Sequence, residues 1–289
     1  MEMFSFLRYW VTITAVYSIF ALSLNFQYGH GGLVNFGQVF FFCFGAYTVA
    51  ILANLGVNPA ATVLLAMAAS GVFGYLMAYT ARNMGGTYWG IATLAVGEIV
   101  RLFFLNEDWV AGGADGIAVG ARIPLFEVVT LALTVMAFLF TRVVMHSPFG
   151  RVLKTIREGD DLPLSLGKDV FSFKKRTMVI GGILGGLAGA LFAYQKQFIN
   201  PEDFFPIETF IVWAMVVVGG KGSDMGTLFG AVIIQVFYVG TRFAKDFLPL
   251  GGNTLAALRM VVIGLLIVLT MMYRSRGLIP EKPRVYKVE

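Results

Sequence analysis

Seven stretches of this chain, roughly 9–25, 37–54, 59–81, 87–105, 124–145, 178–195 and 255–273, each run for close to twenty residues almost without a charge. A helix that crosses the hydrocarbon core of a bilayer needs about 20 predominantly apolar residues, so length alone fits each stretch to a membrane. A soluble fold of 289 residues could bury a large core but would still need polar residues over its surface. Only 13% of the side chains are charged, against roughly 25% in a soluble domain. The alternation of polar and apolar residues that an outer-membrane barrel requires is absent from these runs, so the reading is helical. A further apolar region, 207–242, is interrupted by Gly219, Gly220, Lys221, Gly222, Ser223 and Asp224, which reads as two shorter spans joined by a tight glycine turn. The expectation is an all-α polytopic membrane helix bundle of eight to ten segments with broken or re-entrant helices, formed as a single domain over 1–289.

The first apolar stretch carries Arg8 alone on its flank and no small-residue cleavage site before the polar run that begins at Asn25, so it reads as a true span. Twelve of the 22 Lys and Arg residues fall in two places. One is the segment 146–177, with Arg151, Lys154, Arg157, Lys168, Lys174, Lys175 and Arg176. The other is the tail, with Arg274, Arg276, Lys282, Arg284 and Lys287. Positive residues stay inside, which puts both in the cytoplasm and the acidic loops 106–123 and 196–208 on the other side. The N-terminus lies outside if 25–53 forms one full span and inside if part of it is re-entrant. The net charge of +5 is accounted for by these flanks, which face membrane lipid, so no nucleic-acid partner is implied. Cys43, among Phe41, Phe42 and Phe44, reads as a packing residue. His30 and His146 lack ligand-spaced partners, so no metal site is expected.

Polar residues or glycines interrupt the apolar pattern at four places. The run Leu24 to Gln38 places Asn25, Gln27, His30, Asn35 and Gln38 among four glycines between two apolar stretches. Irregular backbone at membrane depth survives only where protein or a water cavity satisfies it, so this is either a broken helix beside a translocation path or an ordinary loop at the interface. Glu98 and Arg101, three residues apart on one helix face, are either an ion pair that holds the bundle or part of a transport route, with Arg101 also able to snorkel outward. Gly181, Gly182, Gly185, Gly186 and Gly189 form overlapping small-residue ladders for close helix packing. Ser147-Pro148 has the form of an N-cap with proline at the first helical position, opening a short helix from Phe149 to Glu158 that Gly159, Asp160, Asp161 and Pro163 end. That helix is either a solvated surface element or a docking element for a soluble partner.

The chain lacks a phosphate-binding loop: Gly219-Gly220-Lys221-Gly222-Ser223 breaks the order, and Gly167-Lys168 is followed by Asp169. No nucleophile elbow, zinc-protease motif or paired carboxylate points to an enzyme.

Four segments, in order over about 25–235, resemble one family. They are Gly31 to Gln38 with Phe44-Gly45-Ala46-Tyr47; Met84 to Tyr88 through Glu98-Ile99-Val100-Arg101 to Gly112-Gly113-Ala114-Asp115-Gly116-Ile117; Ser147-Pro148-Phe149-Gly150-Arg151 with Ile156-Arg157-Glu158 and Ser165-Leu166-Gly167; and Val218-Gly219-Gly220-Lys221-Gly222-Ser223 with Gly226 and Gly230-Ala231. The family is the permease of branched-chain amino acid ABC importers, and the third segment resembles the LivM type rather than the LivH type. Lys221 stands where the family pattern has a small or apolar residue. The resemblance implies a multi-pass permease of the inner membrane, moving branched-chain or related amino acids by alternating access, with a cytoplasmic C-terminus. It implies a second, LivH-type permease, two cytoplasmic ATP-binding subunits that hold ATP and magnesium, and an extracytoplasmic substrate-binding protein; this chain itself needs no cofactor and is no enzyme. It makes Ser147, Pro148, Phe149, Gly150, Arg151, Lys154, Arg157, Glu158 and Gly167 the coupling segment. Asn25, Gln27, His30, Asn35, Gln38 and Glu98 are the candidates for the path. The alternatives are a sibling importer of urea or short amides, and an ion-coupled secondary transporter or a structural anchor working alone.

Overall fold

The computed structural model describes residues 2–80, 82, 84, 86–247, 252–274 and 276–281; the tail cations Lys282, Arg284 and Lys287 lie outside the described residues. The chain folds into twelve α-helices among these residues: α1 (Glu2–Leu24), α2 (Val39–Asn54), α3 (Pro59–Thr80), α4 (Gly86–Asn106), α5 (Asp108–Ala111), α6 (Phe126–His146), α7 (Pro148–Glu158), α8 (Asp161–Ser165), α9 (Val170–Lys196), α10 (Ile207–Gly219), α11 (Asp224–Phe247) and α12 (Gly252–Tyr273). Five stretches, Phe4–His30, Pro59–Thr80, Gly86–Asn106, Phe126–His146 and Val170–Lys196, are long and apolar enough to cross a membrane, and four shorter apolar helices accompany them. This matches the all-α bundle of eight to ten segments read from the sequence.

The centre of the bundle is α9, which packs along α1, α2 and α3. Its glycines make that packing close. A β-carbon at Gly45 on α2 would stand 2.2 Å from the Gly186 carbonyl oxygen on α9, so both positions are confined to hydrogen. α9 begins eight residues earlier than its apolar stretch, because Asp169 accepts a hydrogen bond from the Ser172 amide at 3.1 Å and caps it.

The two ends of the bundle are distinct. At one end a two-residue antiparallel ribbon joins β1 (Ile117–Ala118) to β2 (Phe198–Ile199). Asn54, closing α2, donates to the Ala118 carbonyl at 2.8 Å and accepts from the Gly120 amide at 3.0 Å, holding α2 to that ribbon. The opposite end carries α7, α8 and the segment 277–281, whose Leu278 and Ile279 amides bond to the Val218 and Gly219 carbonyls at 3.0 and 2.9 Å.

Residues 25–54 settle the choice left by the sequence. Gly31 and Gly32 lie against Leu153 and Arg157 of α7, whereas Asn54 reaches the ribbon end, so 31–54 traverses the bundle as an extended half followed by a helical half. Arg8 bonds to Glu127 at 2.5 Å, placing the start of α1 at the ribbon end with the start of α6. The N-terminal end of α1 and the segment 277–281 are therefore on opposite ends.

The structure corrects four details. Glu208 is not part of an exposed loop: the Tyr17 hydroxyl donates to it at 2.7 Å, midway along α1, because residues 200–206 carry the chain inward before α10 begins. Ser147 has extended N-cap backbone, but its hydroxyl donates back to the Val144 carbonyl at 2.6 Å and makes no cap bond. The sequence that closes α7 does so at Gly159 and then forms the extra helix α8, with Pro163 buried. Arg101 does not snorkel: it is buried, with its guanidinium 4.5 Å from the Phe205 ring centroid.

Candidate functional site

Both α2 and α10 are half-length helices, about 24 and 20 Å long at 1.5 Å per residue; α2 follows the non-helical segment after Gly31, and α10 follows the short 3₁₀ turn Pro201–Phe204. Their N-terminal ends meet inside the bundle, where the Val39 amide donates to the Thr209 hydroxyl at 3.0 Å. From that junction α2 runs toward the ribbon end and α10 toward the α7 end. Two converging helix N-termini place a partial positive charge at one depth, and their first amides are bonded locally, Phe40 and Phe41 to the Gly37 and Gln38 carbonyls and Glu208 and Thr209 to those of Phe205 and Pro206.

The non-helical half before α2 is held by side-chain amides. Asn35 donates to Gln27 at 2.8 Å and to Gln38 at 2.7 Å, and accepts from the Gly37 amide at 2.9 Å. Gln38 passes the chain on to Ser23 of α1, and the Asn35 carbonyl receives the Trp213 indole N–H of α10 at 2.9 Å. Asn25, Gln27, Asn35 and Gln38 are all fully buried. An amide supplies donors and an acceptor together, which lets one residue satisfy several backbone and side-chain groups where water is excluded.

A second junction ties the end of α1 to the glycine turn. α1 relaxes into one π-helical turn, Asn25–His30. Asn25 accepts from the Gly222 amide at 3.0 Å and donates to Asp224 at 3.1 Å, and His30 Nε2 lies 2.9 Å from the same carboxylate oxygen. The buried Nδ1 on the other side of the ring has no partner among the described residues. Gly219 ends α10, Gly220 and Gly222 adopt positive φ, and the Lys221 ammonium sits 4.6 Å from the Tyr28 ring centroid. The half-buried rings of Tyr28, Trp213 and Phe36 and the more exposed Phe210 form a continuous ladder along the two broken spans, with centroid separations of 4.2, 5.2 and 5.9 Å.

α7 closes this assembly. Its apolar face buries Gly150, Leu153 and Ile156, and Phe149 stacks on Phe173 of α9 at 5.3 Å. Its basic face turns to the same glycine turn. Arg157 donates to the Gly29 carbonyl at 2.7 Å and to Glu281 at 2.8 Å, and Lys154 pairs with Glu281 as well. Arg151, Glu158 and Gly167 stay exposed, as do Leu162 and Leu164 on α8 and Leu166 at its end. Glu98 lies apart from both junctions; it is paired with Arg101 on α4 through bonds of 3.1, 3.0 and 2.5 Å, the ion pair that is one of the two readings their spacing leaves open.

Burial pushes the Glu281 carboxyl up, but the hydrogen bonds and charges of Lys154 and Arg157 outweigh it and hold the pKa below the usual carboxylate value. A depressed carboxylate stabilises the folded arrangement above its unfolded pKa, about 4.3, and that stability is lost as pH falls through the lower folded value. Amide exchange at Leu278 and Ile279, corrected for intrinsic rates, is therefore expected to stay slow at neutral pH and to rise as pH drops below the ordinary glutamate range. Glu281→Gln should exchange fast at every pH; slow, pH-independent exchange in both forms would remove the clamp.

Sequence reasoning named Asn25, Gln27, His30, Asn35 and Gln38 without their partners. It missed Asp224 as the acceptor of two of them, Ser23, Thr209 and Trp213 as anchors, and Glu281, which was hidden in a tail read for its positive charge. A lone acid directly after a glycine turn was the available signal for Asp224.

An all-α bundle of long apolar helices, with passages broken at a shared depth and one amphipathic helix at its end, is the architecture of a multi-pass membrane protein. Over residues 6–271 the chain matches the family described as branched-chain amino acid transport system, permease component, and it belongs to that family. It is 30% identical to the high-affinity branched-chain amino acid transport system permease protein LivM of Salmonella typhimurium, across 93% of this chain and 69% of the relative. The probable LivM of Methanocaldococcus jannaschii is 26% identical across 93% of this chain and 91% of its own. The LivH protein of Escherichia coli is more distant, 23% identical across 78% of this chain and 82% of its own, which places the chain with the LivM type.

Proposed function

We propose that this chain is the LivM-type membrane subunit of an ATP-driven importer that carries branched-chain or closely related amino acids across the inner membrane. The observation that carries the reading is the pair of bonds from Arg157, which join α7 directly to the Gly29 carbonyl of the broken first span and to Glu281 behind the glycine turn. A force applied to α7 reaches the broken spans without passing through any flexible loop.

In this reading the α7 end faces the cytoplasm, consistent with its cations, and the segment 277–281 lies there too. Arg151, Glu158 and the exposed leucines Leu162, Leu164 and Leu166 meet the ATP-binding subunits, and the ribbon end meets the substrate-binding protein. The amino acid crosses between this chain and a LivH-type partner, along the broken spans. Half-helix N-termini converging at depth suit a substrate carboxylate, as in other carriers built from discontinuous helices, and the aromatic ladder suits an apolar side chain. The buried amides Asn25, Gln27, Asn35 and Gln38, with His30, hold that wall from behind, and Glu98 with Arg101 braces its outer part. ATP and magnesium act in the partner subunits, and alternation between the two access states follows the movement of α7.

The test is uptake by the assembled system. Arg157→Glu removes both bonds and sets a carboxylate against Glu281. Losing a charge-assisted hydrogen bond costs about 1.5–3 kcal/mol, or roughly ten- to a hundredfold in coupled uptake, with membrane insertion unchanged. Adding Glu281→Arg should recover part of the loss. Wild-type uptake by the single variant would refute the transmission route, and uptake by this chain alone, without ATP or co-purifying subunits, would replace the importer with a secondary transporter.

A further inference from the structure

At the α7 end, a groove of about 300 Å³ opens between α3, α6, α7 and α9. Its floor is apolar, formed by Val144, Phe149 and Val179, and its rim is Tyr75, Lys175 and Arg176. The Lys175 ammonium is gathered over aromatic faces, 5.1 Å from the Tyr75 centroid and 5.6 Å from those of Tyr79 and Phe171. Lys174 beside it pairs with Asp160 at 2.5 Å, whereas among the described residues neither Lys175 nor Arg176 has a carboxylate within ion-pairing distance. The Asp169 carboxylate, on the same side, is occupied by the Ser172 hydroxyl and amide at 2.5 and 3.1 Å.

An apolar slot flanked by two cations and by Tyr75, set where apolar helices give way to a basic segment, matches one class of ligand. We propose that this groove binds an anionic phospholipid, with an acyl chain on Val144, Phe149 and Val179 and the phosphate on Lys175 and Arg176. Basic pockets between membrane helices near the cytoplasmic face take such headgroups, and aromatic rings with polar tips favour the same depth. A soluble anion would use the cations alone and leave the apolar floor wet. Because Phe149 belongs to α7 and stacks on Phe173, the bound lipid touches the helix proposed to carry the partner's force. The site itself depends only on a membrane boundary at this level and not on the identity of the substrate.

The experiment is native mass spectrometry of the full chain in detergent, titrated with phosphatidylglycerol or phosphatidylcholine of identical acyl chains. Wild type should retain phosphatidylglycerol more strongly, and each cation removed in Lys175→Gln and Arg176→Gln should cost roughly fivefold. Val179→Trp, which fills the floor and leaves the charges, should lower retention of both lipids, while Lys168→Gln, outside the groove, should change neither. Equal retention of the two lipids, a preference that survives Lys175→Gln with Arg176→Gln, or displacement by millimolar inorganic phosphate would overturn the proposal. None of these outcomes bears on uptake, so the lipid site and the importer reading fail separately.

Discussion

Asn35→Ala is expected to unfold in detergent at a markedly lower temperature than the wild-type chain, and to reach the membrane in reduced amount. The substitution removes one small side chain but leaves three buried groups without partners: the Gln27 and Gln38 carbonyl oxygens and the Gly37 amide. An unsatisfied buried group costs about 1–3 kcal/mol, so the sum is on the order of 3 kcal/mol or more. Water cannot move in to repair the loss, because Asn35 and both glutamines are fully buried. In a chain of this size that sum corresponds to a fall of roughly 5–10 °C in Tm. Thr48→Ala, which loses only a hydroxyl bonded back to its own helix at Phe44, serves as the comparison and should shift little. An Asn35→Ala protein that melts with the wild type would mean that the extended half-span is held by its packing and that the amide chain is incidental.

Gly222→Val is expected to abolish coupled uptake while leaving a folded, inserted protein. Gly222 has φ +78°, where a β-branched residue is strained, and a β-carbon there would stand 2.7 Å from Glu281 Oε2 and 2.8 Å from Arg157 Nη1. Backbone strain of this kind costs of order 1–3 kcal/mol, and the added side chain must also part Arg157 from Glu281. The same residue gives its amide to Asn25, so the substitution disturbs the junctions of α1, α7 and the glycine turn together. Gly264→Val, in α12 where a β-carbon meets nothing within 4 Å, is the control and should transport normally. Normal uptake by Gly222→Val would show that the turn tolerates separation of the clamp, and the transmission route through Arg157 would fail with it.

The elements that could be read in advance are those fixed by local chemistry. Apolar length set the spans, the glycine ladder of α9 announced close packing, and Pro148 with Gly159 bounded α7 within a residue of its observed limits. The polar run from Asn25 to Gln38 marked a place where regular helix had to stop. Sequence order could not say how it stopped: one π-turn, an extended half-span and then a short helix whose N-terminus meets that of α10. That arrangement is decided by contacts between residues far apart in the chain, Asn25 with Asp224, Val39 with Thr209, Arg157 with Gly29 and Glu281.

The physical reason is the range of the interactions involved. Transfer of apolar surface to a membrane and the preference of proline and glycine for helix ends act within a few residues, so the sequence by itself determined a multi-pass helical bundle with broken segments and an external amphipathic helix. A buried amide or carboxylate must find its partner wherever the fold brings one, and the acceptors here come from segments more than a hundred residues away. Only the tertiary structure therefore decided that the polar run is a locked wall, that the C-terminal segment clamps α7 through Glu281, and that the two half-helices begin side by side.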